Sequence, residues 1–260
     1  MKKRGNTSYL HALYNDVVLL NNTKLPEAFM RAISLHNVAI NCKNISNQLL
    51  NLWTIVEVLI TSKRDNEDRI NTICSILGAI LNRNYLYSQI EQLLLDIKSC
   101  SDGDLTEVFN HIQFTDLDEV EKLTLILSLD KYINERQNII SFLNDFPLLI
   151  HRIERFANIV FKDTESIYNY LYRHAKRINW HIMRIYRNRN MIVHNGSYMP
   201  YRNLLVENLL FYVDSLLETL IQYYCMDYTD NDSIYRDIIC LETKHYHKLG
   251  LPIKKISLIA

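Results

Sequence analysis

Apolar residues recur along the chain at intervals of three and four, the period of a helix that buries one face, and nowhere alternate with polar ones as a half-buried strand requires. Residues 8–20 and 27–62 read as helix, the second opening with Pro26 near its first turn, where a missing N–H costs little. Within it Phe29, Ile33 and Ile40, then Leu49, Trp53, Val56 and Ile60, keep helical spacing, and the segment NISNQ offers a break near residue 45. The charged run TSKRDNEDR precedes two shorter helical patterns, INTICSILGAILNRN and YLYSQIEQLLLDIKS, closed by a turn at SCSDGD. Two short patterns flank FTDLDE between residues 104 and 129, and residues 131–160 read as helix divided or kinked at Pro147.

The most regular stretch begins at Asp163. Ile167, Leu171, Ala175, Ile178, Ile182 and Ile185 form one stripe, and Asn195 with Gly196 supplies a stop. Pro200 then opens a helix whose Leu205, Leu209, Val213, Leu216 and Leu220 form a second stripe. The expected organisation is one all-α domain over residues 1–228 with a helical extension at 229–260.

Composition strengthens this reading. Five glycines and four prolines in 260 residues are too few for many hairpins or βα loops, and 48% hydrophobic content suffices for a core. Five cysteines, odd in number and without a C-x-x-C pair, fit a reducing cytoplasm. The basic start MKKRGNTSYL has no apolar run behind it and predicts no secretory signal. The most apolar later stretch carries Glu207, Asn208, Asp214 and Glu218, which an uninterrupted membrane span would not tolerate, so no membrane partner is expected.

The formal net charge is zero, so affinity for a polyanion has to come from local clustering. Such a cluster exists: between Glu165 and Glu207 there is no acidic residue, while Arg173, Lys176, Arg177, Arg184, Arg187, Arg189 and Arg202 all fall inside. A basic face suits phosphate recognition, because each phosphate neutralised releases counterions. Arg173, Lys176, Arg177 and Arg184 are the candidate RNA-binding residues, with His174 and His181 extending the face. Tyr168, Tyr170, Tyr172, Trp180 and Tyr186 are candidate stacking surfaces for bases. The plainer alternative is that the tyrosines line a helical core and the arginines pair with acids from elsewhere in the fold.

The cluster ends in RIYRNRNMIVHNG. Arg187 and His194 are seven apart and share a face of an unbroken helix, whereas Arg189, five before His194, lies off it; a helix ending near Gly196 lets either arginine meet the histidine. An arginine beside a histidine can cleave RNA without a metal. The imidazole exchanges a proton near neutral pH with the ribose 2′-hydroxyl or the leaving 5′-oxygen, and the guanidinium holds the phosphate and stabilises its developing charge. An amide such as Asn190 can fix the phosphate or orient the histidine.

RNMIVH fits the R-x4-6-H pattern of HEPN domains, in which a polar residue follows the arginine; Arg189, Asn190 and His194 match these positions, and Arg187 followed by Asn188 satisfies the longer spacing. With a helix after it and LLNLWTIVEVLI well before it, YRNRNMIVHNG resembles the Apea-like branch of HEPN proteins found in bacterial anti-phage systems, over roughly residues 28–225. The resemblance implies an all-α HEPN-like bundle with additional peripheral helices, dimerised so that two motif copies face one cleft. It implies a metal-independent endoribonuclease that leaves 2′,3′-cyclic phosphate, acting as a toxin or defence effector without cofactor. In it His194 does acid/base chemistry, Arg189 stabilises the phosphate and Asn190 assists, with Arg187 as the reserve arginine; Arg187, Asn188 and Glu57 are the supporting candidates. RNA, with tRNA as one candidate, a second copy of the chain and a regulatory or antitoxin protein are the implied partners. HEPN toxins silenced by adenylylation carry a tyrosine two residues after the histidine; Gly196 stands there, so that control is not carried over.

Other readings stay open. A non-catalytic HEPN module that binds RNA, a nucleotide or a protein would use the same basic face. Trp53 and Glu57, four apart, share a helix face, and Glu57 is a candidate holder of Arg187 or Arg189; the plainer alternative is a packing tryptophan beside an exposed glutamate. Cys240, His245 and His247 are a weak zinc pattern without a second ligand cluster, so no metal site is assigned. No phosphate-binding glycine loop or nucleophile elbow occurs, which disfavours ATP-driven chemistry and acyl transfer.

Overall fold

The computed structural model describes residues 25–60, 66–100, 105–112, 116–196 and 202–248, the side chains of residues 66–68, 195, 202 and 242–248 excepted. These residues form helices, and no strand occurs among them. In chain order they are α1 Glu27–Asn41, α2 Ile45–Leu59, α3 Asn66–Arg83, α4 Tyr85–Cys100, α5 Leu105–Asn110, α6 Glu119–Ser128, α7 Ile133–Ser141, α8 Pro147–Arg155, α9 Thr164–Asn195, α10 Arg202–Tyr224 and α11 Asn231–Lys248. A 3₁₀ turn, Asp130–Tyr132, precedes α7, and a π turn, Phe156–Val160, continues α8. The helix expected at 8–20 and the opening of α10 by Pro200 lie outside the described residues.

The chain divides into two compact units, one formed by the described residues of Met1–Leu81 and Ala175–His245, the other by those of Asn82–His174 and Tyr246–Pro252. The division falls inside α3 and α9, and it does not follow the expected boundary at 228. α11 belongs with the first unit because Ile234, Tyr235 and Ile238 are buried in that unit's core.

α2 forms the middle of the first unit, packed against α1 and α10. Leu49, Leu52, Trp53, Ile55, Val56 and Leu59 are all buried, and each such side chain contributes about 1.5–3 kcal/mol relative to exposure. The break before α2 has a local cause: the Asn44 side chain accepts from the backbone N–H of Ser46 at 2.9 Å and Asn47 at 3.2 Å, capping the new helix. From α10, the whole stripe Leu205, Leu209, Val213, Leu216 and Leu220 enters this core, as do Ile178, Ile182 and Ile185 from α9. His36 of α1, itself buried, places Nε2 2.7 Å from Asp214 Oδ1 of α10 and so joins the two helices by a polar tie. Gly78 lets α3 approach α9 closely, since a methyl there would lie 3.2 Å from Asn179 Oδ1.

The second unit has its own core, with Ile90, Leu93 and Ile97 of α4, Leu123, Ile126 and Leu127 of α6, Ile139 of α7 and Ile153 of α8. Asp118 and Glu121 form a reciprocal capping box at the start of α6. At its other end, the buried Arg136 donates to the carbonyl oxygens of Ile126 at 3.4 Å and Leu127 at 3.2 Å. Arg152 of α8 pairs with Asp96 of α4, which holds that carboxyl below its ordinary range against the opposing effect of its burial.

α9 runs for 32 residues, about 48 Å at 1.5 Å per residue. It stops at Gly196, whose φ of 61° is the left-handed conformation a glycine adopts freely and whose N–H reaches the Ile192 carbonyl at 3.1 Å. His194 therefore sits in the last turn of a continuous helix.

Candidate active site

In the first unit, α2, α3 and α9 enclose a pocket of about 240 Å³ lined by Trp53, Glu57, Arg69, Ile70, Ile73, Tyr186, Arg189, Asn190 and His194. α9 supplies Tyr186, Asn190 and His194 at intervals of four, a single line along the helix. Arg189 is one position off that line and enters through the length of its side chain. Arg187, aligned with His194 by helical geometry, is exposed and does not line the pocket. Asn188, a candidate supporting residue, is fully buried, and neither heteroatom of its amide has a hydrogen-bond partner.

The organising residue is Glu57. Its Oε1 accepts from the Trp53 indole N–H at 2.9 Å, and its Oε2 lies 3.4 Å from Arg189 Nη2. Arg189 Nη1 also donates to Asn190 Oδ1 at 3.1 Å. The Glu57 and Arg189 side chains are 20% and 27% exposed, so this pair is shielded more than a surface ion pair and holds the guanidinium better than one. Trp53 has a single donor and is almost wholly buried against Tyr186, ring centroids 5.6 Å apart, so it orients Glu57 rather than merely touching it. Of the two arginines that Glu57 was expected to hold, the structure pairs it with Arg189.

α3 adds what the sequence did not mark. Arg69 lines the same pocket, with Nη2 3.4 Å from the Glu57 carbonyl oxygen and a buried Nε without a partner. The only available signal was its position in the charged run TSKRDNEDR, which by itself reads as a solvated segment. Among the described side chains that line the pocket, two guanidiniums face one carboxylate, an excess of one positive charge. His194 is exposed at its mouth and has no hydrogen-bond partner among the described residues. The set can hold an anion, donate an amide hydrogen bond to it and exchange a proton beside it.

The basic face lies elsewhere on α9. Arg173, Lys176, Arg177, Arg184 and Arg187 are exposed, and none is in an ion pair among the described residues. Of the five aromatic residues proposed for stacking, Trp180 alone is open, 67% exposed, with Lys176 Nζ 5.4 Å from its ring centroid. Tyr168 stacks on Tyr172, Tyr170 on Tyr85, and Tyr186 packs on Trp53. The two histidines expected to extend the face are turned into packing. His174 stacks on Tyr85 at 3.4 Å between centroids and lies 3.1 Å from Asn82 Oδ1. His181 Nδ1 lies 3.1 Å from the Tyr212 hydroxyl, and burial together with nearby Arg184 pushes its pKa down.

Among the described residues no three His, Cys, Asp or Glu side chains are grouped to hold a metal ion, and no helix is long and apolar enough to cross a membrane. The side chains of His245 and His247 lie outside the described residues; Cys240 is exposed. Cys74, beside the pocket wall in sequence, is buried and its thiol is pushed up to about 11, so it is held protonated and unreactive. No family model, curated protein or solved structure matches the chain.

Proposed function

We propose that this chain is a metal-independent endoribonuclease of the HEPN type. The observation that carries the reading is that Arg189, Asn190 and His194, the residues matching the R-x4-6-H pattern, line one pocket in which Glu57 holds the arginine. In the reaction the ribose 2′-oxygen attacks phosphorus and the bond from phosphorus to the 5′-oxygen breaks, leaving a 2′,3′-cyclic phosphate and a 5′-hydroxyl. His194 takes the proton from the 2′-hydroxyl, and the 5′-oxygen gains one from the His194 of a second copy or from water. Arg189 stabilises the charge on the non-bridging oxygens, and Asn190 orients the phosphate.

A homodimer with two motif copies on one cleft, a cytoplasmic setting, a role as toxin or anti-phage effector and a restraining partner protein belong to the same proposal. The test is incubation of wild type and His194→Ala with total cellular RNA and with tRNA in excess EDTA, followed by end-group analysis. Cutting by the wild type alone, with cyclic phosphate ends, is expected. Cutting retained by His194→Ala would end the mechanism.

The exposed Lys176, Arg177, Arg184, Arg187 and Trp180 favour a second reading, a non-catalytic module that binds RNA along α9. It predicts salt-sensitive binding that survives His194→Ala and yields no product.

A further inference from the structure

Arg69 lies outside the motif and on another helix, yet it lines the same pocket as Arg189, its guanidinium reaching the main-chain carbonyl of Glu57 where that of Arg189 reaches the Glu57 carboxylate. Both contacts measure 3.4 Å, at the long end for a hydrogen bond, whose usual N···O distance is about 2.9–3.0 Å. Arg69 Nε is buried without an acceptor. An arginine carries five N–H donors, so two loosely engaged guanidiniums lining one hollow offer more donors than Glu57 and Asn190 take up. Among the described lining residues Glu57 alone is acidic and offsets one of the two charges, and both of its carboxylate oxygens are already engaged by Trp53 and Arg189.

The chemical class that completes this arrangement is an anion of charge one with acceptor oxygens pointing two ways. A carboxylate presents its oxygens in one plane, suited to a single guanidinium fork. A phosphomonoester, with a second pKa near 6, carries close to two charges at neutral pH and exceeds the excess available. A phosphodiester carries one charge, and its tetrahedral phosphorus aims the two non-bridging oxygens in different directions.

We infer that Arg69 and Arg189 form a two-sided clamp for a single internal phosphodiester, each guanidinium taking one non-bridging oxygen. This deepens the ribonuclease reading and rests on it for the identity of the polymer: it assigns Arg69 as a second phosphate-holding residue and an internal linkage, not a terminal phosphate, as the recognised group.

The test uses the full chain and a fluorescein-labelled 2′-O-methyl RNA octamer, which cannot be cut because its 2′-oxygens are blocked, titrated in EDTA at several salt concentrations. Arg69→Gln is expected to weaken binding about tenfold and to reduce the slope of log K against log salt by about 0.7, the value for one single-strand phosphate contact. Adding a 5′-phosphate to the octamer is expected to change wild-type affinity less than twofold. Arginine modification by phenylglyoxal, mapped by mass spectrometry on the wild type, serves where the variant folds poorly; the octamer is expected to protect both Arg69 and Arg189. Unchanged affinity and slope in a folded Arg69→Gln, Arg69 modified equally with and without the octamer, or no octamer binding by the wild type would each overturn the clamp. Cleavage of unmodified RNA is scored separately, so octamer binding without cutting would remove the ribonuclease reading and leave the clamp standing.

Discussion

Arg187 and Arg189 are separated by one residue on α9 and stand in different surroundings. On the pocket side, Arg189 is bonded to Glu57 and Asn190 and faces Arg69 and His194. On the solvent side, Arg187 joins Lys176, Arg177 and Arg184 on an exposed face with no carboxylate in ion-pair reach among the described residues. Both sides carry guanidiniums, so the presence of positive charge alone does not separate them. What separates them is constraint: Arg189 has Asn190 and a carboxylate held by an indole N–H within reach, which narrows its rotamer choice before a ligand arrives, and a surface guanidinium has no such partners among the described residues.

Substitutions that strike one side and spare the other test this difference. His194→Ala is expected to lower the rate of RNA cleavage by about 10²–10⁴-fold while leaving octamer affinity within a few-fold of wild type, since it removes proton transfer and not the clamp. On the same side Trp53→Phe keeps the ring packing but deletes the donor to Glu57, a loss of about 1 kcal/mol or roughly fivefold in kcat; an unchanged kcat would deny Trp53 its orienting role. Arg184→Gln combined with Arg187→Gln strikes the solvent side. It is expected to reduce the salt slope of octamer binding by about 1.4 and to leave kcat at saturating RNA unchanged; a collapse in kcat would move the site onto Arg187.

The core-facing side of α9 supplies the smaller effects. Asn188→Leu removes a buried amide whose two heteroatoms lack partners and is expected to raise the unfolding free energy by about 1 kcal/mol in urea titration, with cleavage unaffected. His181 has a folded pKa below its ordinary value, so the unfolded chain binds a proton more readily. Its contribution to stability is full above the unfolded pKa near 6.5 and is lost as pH falls through the lower folded value. His181→Asn should flatten that part of the stability profile.

Much of the helical order was legible because core stripes and caps are local signals. The break near residue 45 lies where Asn44 caps α2, and the division near Pro147 falls where α8 begins. The Trp53 and Glu57 spacing also read correctly as one face, since four residues on a helix fix a side-chain neighbour. Arg69 was illegible for the opposite reason: its meaning comes from a helix 120 positions later, and nothing in TSKRDNEDR marks one charged residue above the others. Helical geometry placed Arg187 with His194 and Arg189 off that face, but it describes where a Cβ points. A long arginine stem within reach of Glu57 crosses that angle, while Arg187, correctly aligned, has no ion-pair partner among the described residues to hold it. His174 and His181 misled for a related reason, because a polar ring on a basic stretch still packs inward when an aromatic partner such as Tyr85 or Tyr212 meets it.

The chain holds two tryptophans, and their burial gives the molecule two independent optical reporters. Trp53, 1% exposed with its indole bonded to Glu57, should emit at short wavelength and resist acrylamide, whereas Trp180, 67% exposed, should emit at long wavelength and be quenched first. In Trp180→Phe the remaining emission reads occupancy of the pocket alone, and in Trp53→Phe it reads contact with the basic face alone. Intrinsic fluorescence thus distinguishes a ligand seated in the clamp from one lying along α9, without a label on either molecule.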